Sequence, residues 1–126
     1  MQFEPEVLAG TTAQLRRIAL GRPSANVRNA VVALTFEGDA GLSEYDRDMF
    51  WDVFGVPAFE QYLTRRNRLI ASECDAHAGL HVCAPLSRRE GWQLDKSPCD
   101  CGDASPRLVK APDFVAPAFH LCVEQP

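Results

Sequence analysis

The hydrophobic rhythm of the chain changes several times, and each change predicts an element. Leu15, Ile18 and Ala19 share one face at helical spacing, behind Thr11-Thr12-Ala13-Gln14, which has the Thr and Gln of a capping box. A short helix is predicted there, ending near Gly21-Arg22-Pro23. Ala30-Val31-Val32-Ala33-Leu34-Thr35-Phe36 is nearly continuous apolar sequence with β-branched members, which predicts a buried strand in a parallel or mixed sheet. Helical spacing returns over 43–54. Ser43 is the expected N-cap, with Asp46 as a weak capping-box partner. Leu42, Tyr45, Met49 and Val53 recur along one stripe, widened by Phe50 and Phe54. This aromatic stripe is expected in the core rather than in a cofactor pocket. Gly55 suits the position just past the helix, and Pro57 forbids its continuation.

Beyond Pro57 the pattern shortens. Residues 58–63 and 68–74 predict two strands joined by a polar turn at 64–67, and 80–84 predicts a third. Residues 85–96, with Trp92, are expected as a polar connection, and 107–110 as a strand. The tail from Ala111 carries Pro112, Pro117 and Pro126 and is expected to be irregular. The expected fold class is therefore α+β, or mixed α/β. It would be a small central sheet with one or two packed helices, organised as a single domain over 1–110 with a tail over 111–126.

Composition narrows the function classes. A chain of 126 residues with 46% hydrophobic and 24% charged residues is ordinary for a globular protein. Its net charge of −4 argues against a nucleic-acid partner. The one basic cluster, Arg65-Arg66-Asn67-Arg68, is expected as a solvated hairpin tip. No apolar run is long enough for a bilayer, and Glu4 and Glu6 near the start do not fit a secretory signal. The expected compartment is the cytoplasm, with no membrane partner. Five cysteines is an odd number, and close-spaced thiols in a reducing compartment point to metal or redox chemistry before disulfides.

Cys99-Asp100-Cys101-Gly102 carries the chemistry. Its glycine would let backbone N–H groups turn toward the thiolates. Cys74 and His81 lie upstream, and the four residues make a Cys₃His set of the kind that closes a structural zinc site. Cys83, two residues after His81 on the predicted strand, would project to the same face, and His77 is close by. Either could replace His81 as the fourth ligand. Cys122, and with less weight Cys83, read as small buried hydrophobes, and His120 as a tail residue with no special role. Glu73, Asp75 and His77 could pose as an acid–base group, but all lie in one local segment. Glu37 and Asp39, after the buried strand, read first as loop residues facing water.

Several motifs occur in a telling order: Leu42-Ser43-x-x-Asp46-Arg47, Phe54-Gly55-Val56-Pro57, Ser72-Glu73-Cys74, Gly79-Leu80-His81, and Cys99-x-Cys101-Gly102-x-x-x-Pro106-Arg107. This order resembles the phenylacetate-CoA ligase family of adenylate-forming enzymes and their capsule-biosynthesis relatives. The resemblance runs from about Val31 to Leu108 and would correspond to a middle slice of such an enzyme. It implies that Cys74, His81, Cys99 and Cys101 form a zinc-binding element. It also implies that Tyr62 stands where the family's tyrosine contacts the adenine side of the nucleotide. The departures are as informative. No Gly/Ser/Thr-rich phosphate loop is present, Leu63 replaces the family's glycine, and Arg66 falls where a Mg²⁺-binding carboxylate is expected.

The resemblance therefore implies a non-catalytic, zinc-stabilised relative of these ligases. Such a chain would be a binding or assembly module beside an adenylating or CoA-ligase enzyme, or would self-associate. One alternative is a split ligase subunit whose partner chain supplies ATP binding. Another is a thiol redox protein using Cys99 and Cys101.

Overall fold

The computed structural model describes residues 6–21, 27–84 and 89–111. Its elements are, in chain order, β1 (Val7–Thr11), α1 (Thr12–Leu20), β2 (Ala30–Phe36), α2 (Glu44–Phe54), β3 (Ala58–Leu63), β4 (Leu69–Glu73), β5 (Leu80–Val82), β6 (Trp92–Asp95) and β7 (Arg107–Lys110). All seven strands form one mixed sheet in the order β1-β2-β3-β4-β5-β7-β6. The α+β architecture expected from the pattern is the one observed.

The first three strands are parallel, with α1 and α2 as the crossovers between them. The capping box at α1 forms in full: Gln14 N–H donates to Thr11 Oγ1 at 3.1 Å, and Thr11 N–H donates to Gln14 Oε1 at 2.9 Å. At α2, Ser43 Oγ accepts from Asp46 N–H at 3.0 Å. The reciprocal half is replaced, because the Asp46 carboxylate turns to α1 and accepts from Arg16 Nε and Nη2, both at 2.7 Å. Gly55, at φ 74°, ends the helix in the left-handed conformation, with its N–H on the Trp51 carbonyl.

Leu15 and Ala19 of α1, Phe50 and Phe54 of α2, and Val31, Ala33 and Ala58 of the strands form one buried core. Tyr45 does not join it and is 73% exposed. The buried line of α2 runs Asp46, Phe50, Phe54, every fourth residue, and one step from Asp46 turns Tyr45 outward. Trp51, one step after Phe50, is likewise exposed.

From β3 onward the sheet is antiparallel. Arg65, Arg66 and Arg68 are exposed on the β3–β4 turn, as the sequence predicts, and the turn closes where Thr64 N–H meets the Arg68 carbonyl at 2.8 Å. That bond makes Arg68 part of the turn, so β4 begins at Leu69. β5 stops at Val82, short of the expected Ala84. There the next strand's ladder reaches Pro106, whose carbonyl takes the Val82 N–H but which has no N–H of its own to give.

Two strands were not expected. β1 is short and holds Gly10, and β6 lies within the segment predicted as a polar connection. Both are edge strands, and β6 exposes Gln93 and Leu94, so neither shows a buried alternation. A second, smaller core joins Tyr62, Ile70, Ala71, Leu80 and Leu108. Among the described residues no helix is long and apolar enough to cross a membrane. The expectations for the tail beyond Ala111, for Cys122 and for His120 lie outside the described residues.

Candidate metal centre

Four of the chemistry-bearing residues converge at one end of the antiparallel half. Cys74 follows the last residue of β4, and His81 is the middle residue of β5, paired with Ser72 across the ladder. Cys99 and Cys101 sit on the connection between β6 and β7. The Gly102 N–H closes that turn on the Cys99 carbonyl at 3.0 Å, with Gly102 at φ 95°. Only a residue without a side chain adopts that backbone cheaply.

One ligand atom from each of Cys74, His81, Cys99 and Cys101 lies within 4.8 Å of the others, so the four could hold a metal ion. Cys74 Sγ is 3.6 Å from Cys99 Sγ, and Cys101 Sγ is 3.4 Å from His81 Nε2. A tetrahedron with metal–sulfur bonds of about 2.3 Å has sulfur–sulfur edges of about 3.8 Å. The Cys74–Cys99 pair is close to that edge length. His81 and Cys99 are buried, Cys74 is half-buried and Cys101 is exposed, which gives the site one solvent-facing side.

The surroundings fix the ligands. His81 Nδ1 is 2.9 Å from Ser105 Oγ and 3.8 Å from Asp103 Oδ2, leaving Nε2 aimed at the sulfurs. Asp103 in turn accepts the Ser105 N–H at 2.8 Å, and its own N–H donates to Cys101 Sγ at 3.4 Å. Arg107 is buried and staples the connection down. It donates from Nη1 to the Ala78 carbonyl at 2.7 Å, and from Nη2 to Ser97 Oγ and Asp95 Oδ2 at 3.2 and 3.3 Å. Sequence reasoning missed Asp103, Ser105 and Arg107 as parts of the site. The Asp-x-Ser spacing of a side-chain-capped turn was the available signal.

Backbone donation holds charge on one sulfur. The Cys101 N–H pulls the Cys99 thiol down to about 7, helped by hydrogen bonds from His81, Cys101 and Cys74 and opposed by burial. At Cys101 the Asp103 N–H acts in the same direction, but burial and the neighbouring Cys99 and Cys74 outweigh it and push that thiol up. Without an ion, the neighbouring sulfurs oppose ionisation of Cys101. An ion that binds all of them removes that conflict.

The other candidates lie elsewhere. Cys83 is exposed, and its sulfur is 3.5 Å from the carbonyl of His81 rather than in the cluster. Because β5 ends at Val82, strand alternation no longer carries Cys83 to the face of His81. Its exposure also contradicts the reading as a buried hydrophobe. His77, at φ 52°, places Nδ1 2.6 Å from Glu73 Oε2, with its ring 4.8 Å from Phe59. Glu73 also accepts from Arg47 Nη2 and from Glu60 N–H, at 3.0 and 2.8 Å. Tyr62 is 1% exposed in the smaller core, with the Arg89 guanidinium 4.2 Å from its ring centroid. Asp39 is exposed and Glu37 half-exposed in the loop after β2. No family model matches the chain, and a search of curated proteins finds no similar sequence.

Proposed function

We propose that the chain is a zinc-stabilised relative of the phenylacetate-CoA ligase family that has kept a scaffold and its metal but not the reaction. Its role is then that of a binding or assembly module. The observation that carries this reading is the Cys₃His cluster, built from the residues that the resemblance marks as the zinc element. Three thiols and one imidazole within 4.8 Å of one another favour zinc over harder ions, which want oxygen. A complete set of four protein ligands leaves no open position for a reacting water, as in structural rather than catalytic zinc sites.

Loss of the reaction rests on the sequence. Adenylyl transfer needs backbone donors around the phosphates, Mg²⁺ on a carboxylate and a cation on the developing charge. The chain has no phosphate loop and has Arg66 at the carboxylate position. The redox alternative is weaker, because its two requirements fall on different sulfurs. The thiol held low, Cys99, is buried, and the exposed one, Cys101, is pushed up.

Metal analysis of the purified chain should give about one zinc per chain, lost in Cys101→Ser. ATP–pyrophosphate exchange with aryl or acyl acids should stay at background. Exchange by the pure chain would overturn the non-catalytic reading. Exchange seen only with a second protein would replace it with the split-ligase reading.

A further inference from the structure

Among the described residues, the helix-bearing face of the sheet has an open groove that none of these roles uses. α1 packs on β1 and β2 and α2 on β3, and the sheet beyond α2 forms a trough of about 450 Å³. Its floor takes a residue from each of five neighbouring strands: Ala58, Glu73, Leu80, Lys110 and Trp92. Four inter-strand steps of about 4.8 Å make it roughly 19 Å across, the length of about six extended residues. A trough that long suits a strand of peptide better than a compact small molecule. One wall is Trp51 of α2, 57% exposed, and the other end is Trp92. Two large aromatic surfaces left partly wet on one groove are the composition of a recognition patch.

The charges are arranged unequally. Arg47 is neutralised within the groove by the buried Glu73 at 3.0 Å, with Glu44 a further 3.7 Å contact. Lys110, at the Trp92 end, makes no ion pair among the described residues, and its ammonium lies 5.9 Å from the Trp92 ring centroid. Lys110 is therefore an uncompensated cation near the Trp92 end, while the Arg47–Glu73 pair sits over the β4 part of the floor.

We infer that this groove docks an extended segment of a partner protein, with apolar side chains against Trp51 and Trp92 and a carboxylate on Lys110. This rests on the binding-module reading but not on the zinc or on the family. The metal and the groove share the β4–β5 connection. It carries Cys74 on one side and His77 on the other, joined by the 3.0 Å bond from His77 N–H to the Cys74 carbonyl.

The chain has two tryptophans, and both line this groove, so intrinsic indole emission reports on it selectively. The test titrates metal-loaded protein with two acetylated six-residue peptides. Both carry leucine and phenylalanine, followed by two glutamates in one and two lysines in the other. The acidic peptide should shift the emission saturably and bind at least about tenfold tighter than the basic one. Lys110→Glu should reverse that order, and Phe substituted at Trp51 should preserve binding that Trp51→Ala weakens by about tenfold. Both side chains project into solvent, so the variants should keep their metal content and circular dichroism, which are measured in parallel. No saturable shift, or an affinity indifferent to both Lys110→Glu and Trp51→Ala, would overturn the proposal. Metal content unchanged alongside that result would leave the zinc reading standing.

Discussion

The two halves of the sheet solve the same packing problem by different means. Among the described residues, the parallel half buries ten in one apolar cluster with two helices. The antiparallel half buries five, with no helix over it, among the described residues; its connections are stapled by Arg107, and the Cys/His cluster there could bind an ion that ties them together. Apolar burial stabilises in proportion to area, so the second half is short of core. An ion bound at the cluster would compensate, because its binding free energy would add directly to folding. The halves meet at a seam of charge. Arg47 of α2 reaches Glu73 of β4, and Arg89 donates to Glu60 of β3 at 2.9 Å and to Thr35 of β2 at 3.1 Å.

The sharpest way to break the comparison is to remove the metal. Chelation should lower thermal stability more than any single substitution below, by several kcal/mol in line with structural zinc sites. The loss should be greater at neutral than at acidic pH, where protons on the thiols and imidazole have already displaced the ion. Hydrogen exchange should show β4, β5 and β7 losing protection before β2. Equal loss across both halves would mean that the sheet is one cooperative unit.

The converse change is Phe50→Ala, in the middle of the larger core and fully buried. It should cost about 3–5 kcal/mol while leaving metal content intact. If it also released the metal, the halves could not be treated separately. A smaller effect is expected of Gly79→Ala. Gly79 has φ 109°, and an added Cβ would sit 2.7 Å from the Leu108 carbonyl oxygen. The loop between the metal and the groove would have to shift, at a cost of at least about 2 kcal/mol, with weaker metal retention as the second readout.

The smallest effect tests the helix pair. Hydrogen bonds from Arg16 hold the Asp46 carboxyl below the usual carboxylate range, against the opposing effect of burial. The contact therefore stabilises the fold at and above the unfolded carboxylate value of about 4 and is lost as pH falls through the lower folded value. Asp46→Asn should cost about 2 kcal/mol at pH 7, with the gap to the parent chain closing below about pH 4. A pH-independent gap would assign the cost to packing instead.

What the sequence made legible was what local chemistry decides. Thr11 and Gln14 announced α1, Ser43 and Gly55 bounded α2, and the Ala30–Phe36 run marked the parallel core strand. The four converging residues were legible because ligand chemistry restricts the choice to Cys and His. What stayed hidden depends on neighbours distant in sequence. Asp46 could not be read as the partner of Arg16, thirty positions away, rather than of its own N-cap. β6 becomes a strand only because β7 offers it a ladder from Trp92↔Lys110 to Asp95↔Arg107. Cys83 was misplaced by assuming that strand alternation continues past the strand's true end.

That misplaced cysteine has a practical consequence. Cys83 is exposed at the surface while its three described counterparts face one another. In a Cys122→Ser background, an ion bound at the cluster would leave Cys83 as the thiol open to alkylation. A fluorophore or spin label attached there would sit two residues from His81, close enough to follow the metal site without occupying a ligand position.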